Sequence, residues 1–254
     1  SVGMINLSHF PIMDIKGPDA ERMLEYLSVA KVGGNTPEGK VIYTNFLDED
    51  GGVHADLTIS RLGADSYRVV TGGADGNRDW VTLRNYRDDN GLNANIDIRT
   101  HDIATLGLWG PKARSVLSRL VSDPEALTNE NFGFATAKTI EVAGISVWAF
   151  RISYVGEQGW ELYIDFADGL ALWDALFEQQ VCPIGIETYA NSRRLEKSLR
   201  LQNADLETDV DLYEAGLARA VVKKADFMGK TAYLQQRSVE SPSARLCTLS
   251  MLSN

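Results

Sequence analysis

The chain has 254 residues, of which 44% are hydrophobic and 24% are charged, and its formal net charge is −10. This composition is typical of a folded globular protein and excludes a largely disordered chain. The acidic balance excludes a general nucleic-acid binder, which needs a basic surface. It also predicts a surface that anionic membranes repel, and no apolar run approaches the roughly 20 residues of a membrane-spanning helix.

The two cysteines, Cys182 and Cys247, lack the spacing of a zinc site or a disulfide scaffold. They favour a reducing compartment, and no signal peptide is recognisable. The chain begins without Met, and residues 246–252 have the pattern of a strand with no partner after it. We therefore expect a fragment of a longer protein.

In chain order, the first predicted element is a helix after Pro18, because apolar residues follow it at the spacing of one helical face. Alternating residues predict strands over 53–59 and 67–70, and a helix follows over 78–88. The same order returns with a helix after Pro111, strands over 147–152 and 160–164, and a helix over 170–179. A further helix over 187–197 and a loop over 201–211 come last.

A constant offset of 93 positions relates the two sets of elements. It pairs Gly17-Pro18 with Gly110-Pro111, Gly51 with Gly144, Ile59 with Ile152, Gly63 with Gly156, Tyr67 with Trp160, and Trp80 with Trp173. Such an offset indicates an internal duplication. We therefore predict an α+β fold of two duplicated ferredoxin-like (split β-α-β) units with antiparallel-rich sheets and a cleft between them. The expected divisions are 1–102 for the first unit, 103–240 for the second, and 241–254 for the start of a further module, with interleaving of the units as an alternative.

Two carboxylates are candidates for chemistry, and each has a simpler interpretation. Asp56 follows a Gly-Gly turn and is out of phase with Val53, Ala55 and Leu57, so it is either solvated or faces the cleft, where it could act on a ligand amine. Glu161 likewise points away from the apolar face of its strand. It is either an exposed strand residue or a bidentate acceptor for the edge of a flat heterocycle.

Arg193 and Arg194 lie on the predicted helix over 187–197, where the charged residues form either a solvated face or a source of one arginine for the cleft. The three histidines give no metal pattern, and the sequence has no Walker loop, GxGxxG or G-x-S-x-G motif. The motifs at this point define no metal site and no nucleotide-binding loop.

Seven blocks in the right order resemble the aminomethyltransferase family, the glycine-cleavage T-protein, and in particular the folate-binding region of dimethylglycine and sarcosine dehydrogenases. They are Asn6-Leu7-Ser8-His9-Phe10, Gly17-Pro18-Asp19-Ala20, Gly51-Gly52-Val53-His54-Ala55-Asp56-Leu57-Thr58, Tyr154-Val155-Gly156-Glu157-Gln158-Gly159-Trp160-Glu161-Leu162, Arg194-Leu195-Glu196-Lys197, Glu214-Ala215-Gly216-Leu217 and Asp226-Phe227-Met228-Gly229-Lys230. The resemblance covers essentially the whole chain. It implies a cloverleaf of three modules around a central folate site, with the third, a small β-barrel, largely missing and residues 245–252 as its first strand.

The resemblance also implies the roles of five residues. Asp56 is the acidic residue beside the folate N5 and N10 amines and the catalytic candidate, Tyr43 lines the pocket, and Tyr154 stacks nearby. Glu161 holds the pteridine edge, and Arg194 contacts the ligand. No metal is expected.

The implied function is tetrahydrofolate-dependent one-carbon transfer, in which an iminium or formaldehyde carbon from an N-methyl amine leaves as 5,10-methylenetetrahydrofolate. FAD is expected only in a domain or subunit outside this chain. The alternatives are a free-standing aminomethyl- or methyltransferase of the T-protein type and a non-catalytic folate-binding module. The expected compartment is the cytoplasm, or the mitochondrial matrix in a eukaryote.

Overall fold

A computed structural model describes residues 1–239 and 244–251. The strands in chain order are β1 (Gly3–Asn6), β2 (Ile12–Lys16), β3 (Val41–Leu47), β4 (Val53–Gly63), β5 (Ser66–Thr71), β6 (Asn95–Ile98), β7 (Ile103–Trp109), β8 (Ala137–Val142), β9 (Ile145–Phe150), β10 (Gly159–Asp165) and β11 (Cys182–Pro183). The α-helices are α1 (Ala20–Leu27), α2 (Gly76–Asp89), α3 (Ala113–Leu117), α4 (Gly169–Glu178), α5 (Arg194–Glu196) and α6 (Lys230–Ser238). Short 3₁₀ turns occupy Pro124–Leu127 and Phe166–Asp168, and a π-helix occupies Glu187–Arg193.

The strands form two sheets, one of five strands in the order β3-β4-β5-β2-β6 and one of six in the order β11-β1-β7-β10-β9-β8. All pairings between named strands are antiparallel except that of β1 with β11. The α+β class and the antiparallel-rich sheets predicted from the sequence are therefore confirmed.

The internal repeat is visible in the sheets. Strands β3, β4, β5 and β2 of the first sheet occupy the same order as β8, β9, β10 and β7 of the second. The fifth position in each sheet is exchanged, because β6 pairs with β2 in the first sheet while β1 pairs with β7 in the second. Of these two short strands only β1 crosses the predicted boundary between residues 102 and 103, because it pairs with β7, while β6 stays with the first sheet. That boundary remains a prediction.

The repeated Gly-Pro turns explain how the exchanged segments are held. Gly17 has φ +138° and Gly110 has φ +135°, which are values that favour glycine. A Cβ at Gly17 would lie 2.5 Å from the backbone oxygen of Asn93, and one at Gly110 would lie 2.5 Å from that of Ser1. Each turn therefore packs without a side chain against the backbone that precedes the short strand of the same sheet, β6 for Gly17 and β1 for Gly110.

The sheets pack face to face, with helices on their outer surfaces. Ile12, Val41 and Val70 of the first sheet contact a set from the second, namely Ile103, Ala137, Phe150 and Tyr163. On the outer face of the first sheet, α1 buries the four residues predicted from its spacing, namely Ala20, Met23, Leu24 and Leu27. The second sheet packs its outer face against α3 and α4. Successive strand residues therefore point either to a helix-covered core or to the space between the sheets.

Two predicted elements differ in the structure, and strand β3 was not predicted. The strand predicted over 147–152 is β9 and ends at Phe150. The helix predicted over 187–197 is a π-helix that continues into the single turn α5.

The strand predicted over 245–252 is wrong for its described part, since residues 244–251 contain no strand. Leu249 and Met251 are more than nine-tenths exposed there, and a strand needs a partner to satisfy its backbone. Residues 240–243 and 252–254 lie outside the described residues.

Candidate functional site

A cavity of about 640 Å³ lies between the two sheets. Its wall comes from β3, β4 and β10, from the segments after β5 and β9, from the π-helix, and from residues 198–203. Four predicted site residues line it, namely Tyr43, Asp56, Tyr154 and Glu161. The structure therefore brings together side chains that are more than a hundred positions apart in the sequence.

Strand alternation places Asp56 in this cavity. Ala55 and Leu57 are buried against the helices, so the residue between them faces the other sheet. Asn45 lies directly opposite Asp56 on β3, and its Nδ2 donates a 2.9 Å hydrogen bond to Asp56 Oδ1. Tyr43 lies two residues before Asn45 and shares its face, so the cavity receives a carboxylate flanked by an amide and a phenol.

The surroundings of Asp56 favour its protonated form. Burial raises the pKa of Asp56 to about 6, and the negative charges of Asp75 and Asp79 act in the same direction. Hydrogen bonding from Tyr43 and Asn45 partly opposes this rise by stabilising the carboxylate. A carboxyl with a pKa near 6 can both take up and release a proton close to neutral pH.

Glu161 lies deeper, on the inner face of β10. Its neighbours Trp160 and Leu162 are buried in the helix-covered core, and Glu161 itself is 7% exposed. The Tyr163 hydroxyl donates a 2.6 Å hydrogen bond to Glu161 Oε2. Burial raises the pKa of Glu161 to about 7, against which the bond from Tyr163 acts. The simpler interpretation of Glu161 as an exposed strand residue is therefore wrong.

An aromatic cluster centred on Tyr189 forms one side of the cavity. The Tyr189 ring stacks on Trp109 with centroids 5.5 Å apart and contacts Tyr154 at 5.2 Å and Phe10 at 6.1 Å. The Tyr154 hydroxyl donates a 2.5 Å hydrogen bond to the backbone oxygen of Arg200. Sequence reasoning missed Tyr189 because the π-helix that carries it has no distinct hydrophobic period; its only signal was an aromatic residue in a predicted helix after the repeat.

Sequence reasoning also missed Asp75, which lines the cavity at the start of α2 and is 5% exposed. Its Oδ1 accepts a 2.8 Å hydrogen bond from Asn203 Nδ2 and lies 3.3 Å from the Arg78 guanidinium. The neighbouring Asp79 is fully buried and accepts hydrogen bonds from Thr71 and Arg78. The glycines at 72 and 73 were the signal for this turn, but their spacing identified no chemistry.

Arg194 is not among the residues that line the cavity. It is 8% exposed, and its Nε donates to the backbone oxygen of Ala190 at 2.7 Å. Its Nη1 donates to the backbone oxygen of Leu199 at 3.1 Å and to the carboxylate of Asp205. The solvated helix face considered for this segment is thus wrong for Arg194, which lies behind the cavity wall.

The part of the chain that the structure describes, residues 1–239 and 244–251, contains no group of three or more His, Cys, Asp or Glu residues able to hold a metal ion. None of its helices is both long and apolar enough to span a membrane.

The chain matches the family model described as the GCVT N-terminal domain over residues 1–225. The chain belongs to this family. The resemblance to aminomethyltransferases inferred from the sequence is therefore confirmed.

Two curated relatives are named mitochondrial dimethylglycine dehydrogenase. The protein of Homo sapiens is 35% identical over 260 residues, and that of Mus musculus is 35% identical over 262 residues. Each alignment covers 98% of this chain and 29% of the relative. The GCVT chain thus spans about 29% of the length of these relatives.

Two solved structures share the fold. Aminomethyltransferase T of the glycine cleavage system from Bartonella henselae superposes with a TM-score of 0.80 and 25% identity, covering 93% of this chain and 63% of that chain. A chain of heterotetrameric sarcosine oxidase from Corynebacterium sp. U-96 superposes with a TM-score of 0.51 and 19% identity, covering 72% of this chain and 88% of that chain. The second likeness concerns the fold alone.

Proposed function

We propose that the chain binds tetrahydrofolate in the cavity between the sheets and takes part in transferring a one-carbon unit to it. The observation that carries this proposal is that the half-buried carboxyl of Asp56 and the buried carboxyl of Glu161 share one cavity with aromatic walls. Membership of the GCVT family supports the same function.

The residues present fit a flat, polar heterocycle. A cavity of about 640 Å³ is within the usual size range of small-molecule sites, which combine apolar walls with a few placed polar groups. Phe10, Tyr43 and Tyr154 supply aromatic surface, and Glu161 supplies an acceptor next to it. We assign to Glu161 the ring N–H groups of the pterin, because a carboxylate can accept two such bonds side by side.

Asp56 is the catalytic residue in this proposal. Bound tetrahydrofolate would supply a weakly basic amine able to take up a one-carbon unit. In its ionised form Asp56 accepts a proton from such an amine and stabilises positive charge that develops beside it. Asn45 holds the carboxylate in place through its 2.9 Å hydrogen bond, and Tyr43 lines the cavity on the same face of β3.

The finer assignments rest on the relatives. The name dimethylglycine dehydrogenase favours a one-carbon unit that comes from an N-methyl amine, as an iminium or as formaldehyde. We place any FAD in a domain or subunit outside these 254 residues. The word mitochondrial in the relatives' names makes the matrix the compartment we propose for a eukaryotic source.

Calorimetry with the purified chain and tetrahydrofolate tests the proposal. We expect wild-type protein to bind, and we expect Asp56→Asn to bind within a few-fold while losing the transfer of formaldehyde carbon above the spontaneous rate. Asp65→Asn, at an exposed aspartate of the first unit, is the matched control and should behave as wild type. No binding at high micromolar tetrahydrofolate would contradict the proposal.

A free-standing aminomethyltransferase is the second candidate, favoured by the TM-score of 0.80 to the glycine-cleavage enzyme. An assay with an aminomethyl-lipoyl carrier as the donor distinguishes this candidate from the first proposal, because only a free-standing aminomethyltransferase is expected to turn over that donor. A third outcome is that the protein binds folate, shows no turnover with either donor, and binds folate equally well as Asp56→Asn. That outcome would indicate a non-catalytic folate-binding module instead.

A further inference from the structure

Residues 198–205, which we call the cavity strap, form part of the wall of the cavity between the two sheets. Six consecutive strap residues line the cavity, from Ser198 to Asn203. The strap contains no helix, and two of its non-glycine residues, Ser198 with φ +57° and Asn203 with φ +64°, adopt left-handed backbone. Such a segment holds its shape only where surrounding contacts determine it.

The strap is fixed by an ion pair between the buried Arg194 and the partly exposed Asp205. Arg194 Nη1 donates to the backbone oxygen of Leu199 at 3.1 Å and to the Asp205 carboxylate. The same Asp205 carboxylate accepts the backbone N–H of Leu201 at 3.0 Å. Arg194 and Asp205 together therefore hold the backbone on both sides of Arg200.

The backbone oxygen of Arg200 is what Tyr154 binds. The Tyr154 hydroxyl donates to it at 2.5 Å, and the Tyr154 ring lines the cavity. The Arg200 side chain points away and donates to the backbone oxygens of Ala215 and Leu246 at 2.9 Å each. The position of the strap therefore sets the position of an aromatic wall of the site.

The strap is also fixed to the first unit, through Asn203. Asn203 Nδ2 donates to Asp75 Oδ1 at 2.8 Å, and Asp75 belongs to the turn before α2. The cavity strap thus joins the first unit, through Asp75, to the second unit, through Tyr154 and Arg194.

We propose that Arg194 and Asp205 are positioning residues that hold the cavity strap, so that Arg194 acts on the ligand through Leu199, Leu201 and Tyr154 and not by touching it. This inference rests on the proposed function where it concerns tetrahydrofolate, but the state of the strap is a property of the free protein. A buried charge that loses its partner destabilises its surroundings strongly, so removing either member should loosen the same segment.

A double-mutant cycle on tetrahydrofolate affinity distinguishes a positioning role of Arg194 from direct contact between Arg194 and the ligand. We expect Arg194→Lys and Asp205→Asn each to raise Kd about tenfold, and the double variant to raise it by about the same factor, because both remove one unit. Direct contact between Arg194 and the ligand predicts a different pattern, in which Asp205→Asn leaves Kd within about twofold and the two effects multiply. That pattern would overturn the proposal.

Amide hydrogen exchange in the free protein supplies a readout that needs no ligand. We expect the Leu201 amide, and the strap as a whole, to exchange at least about tenfold faster in Asp205→Asn and Arg194→Lys than in wild type. Arg193→Lys is the matched control, because Arg193 forms an exposed 2.8 Å pair with Glu196 in the same segment, and it should leave exchange and Kd unchanged.

The two proposals fail in different ways. If wild type does not bind tetrahydrofolate but exchange in the strap responds as expected, the proposed function is wrong and the role of the pair stands. If Asp205→Asn and Arg194→Lys both fold with wild-type circular dichroism and show unchanged exchange in the strap, the positioning role is wrong whether or not folate binds.

Discussion

The buried carboxyl of Glu161 should make the stability of the protein fall as the pH rises, and Glu161→Gln tests this. Burial raises the pKa of Glu161 from 4.5 to about 7, so the folded protein binds this proton more tightly than the unfolded chain does. The contribution of Glu161 to stability is therefore fully present below about pH 4.5 and is lost as the pH rises towards 7. Above that range the folded protein contains a buried charge.

The magnitude follows from the two pKa values. Each unit of difference corresponds to about 1.4 kcal/mol, so the full effect on the free energy of unfolding is about 3 kcal/mol. About 2 kcal/mol of it falls between pH 5.5 and pH 8, a range that stays above the sequence pI of about 4.8. For a chain of this size that corresponds to roughly 4–8 °C in Tm. Glutamine carries no charge and escapes this loss.

Denaturant unfolding of both proteins from pH 5.5 to pH 8 measures the effect. The free energy of unfolding of Glu161→Gln, relative to that of wild type, should rise by about 2 kcal/mol across the series. Glu141→Gln replaces an exposed glutamate on β8 and should show a constant difference. A difference between Glu161→Gln and wild type that does not change with pH would refute the argument that burial controls this carboxyl.

Three further predictions concern other parts of the molecule. Because the pKa of Asp56 is raised to about 6, kcat/KM for one-carbon transfer should rise about tenfold per pH unit below pH 6, level off above pH 7, and lose this profile in Asp56→Asn. Gly159→Ala should prevent folding, since its Cβ would lie 1.9 Å from a backbone oxygen of β7, while Gly185→Ala, with nothing within 4 Å of its Cβ, should keep the wild-type Tm. Arg68→Ala should cost about 3 kcal/mol in denaturant unfolding, because Asp14 would remain buried without the bonds of 2.8 and 3.0 Å that Arg68 now donates.

Each of these predictions has a result that contradicts it. A transfer rate that is independent of pH between 5 and 7 would mean that Asp56 exchanges no proton in the rate-limiting step. A folded Gly159→Ala with unchanged Tm would contradict the close approach of β10 to β7. If Arg68→Ala loses no stability, the Asp14 carboxylate must find another partner or water.

The sequence predicted those features that depend on local periodicity. The spacing of Ala20, Met23, Leu24 and Leu27 gave the buried face of α1 correctly, since a helix has one period and one covered side. The 93-residue offset predicted two similar units. It could not predict the exchange of β1 and β6, because the sheet with which a four-residue strand pairs is decided by non-local packing.

The alternation rule also placed the two carboxyls on the inner faces, but it could not say what those faces meet. Asp56 and Glu161 were each out of phase with apolar neighbours, a pattern that a solvated residue shares. What separates the two interpretations is that a second sheet covers the face, which is a non-local fact. Strand β3 escaped prediction for a related reason, since its buried residues do not alternate cleanly with exposed ones.

The corresponding rule for helices, a period of 3.6 residues, fails for Arg194. A helical face is assigned by a period of 3.6 residues, and that period does not hold where the bonds run from i to i+5, as in the π-helix before α5. The charged run around Arg194 therefore ends with Arg193 exposed and Arg194 buried against Asp205, eleven residues further on. Asp205 belongs to the cavity strap, which has no periodic structure. The burial of Arg194 therefore depends on a loop that periodicity cannot predict. In our proposal Arg194 therefore affects the site by holding the cavity strap and not by contacting the ligand. The exchange rate of the Leu201 amide in Arg194→Lys and Asp205→Asn tests that positioning role.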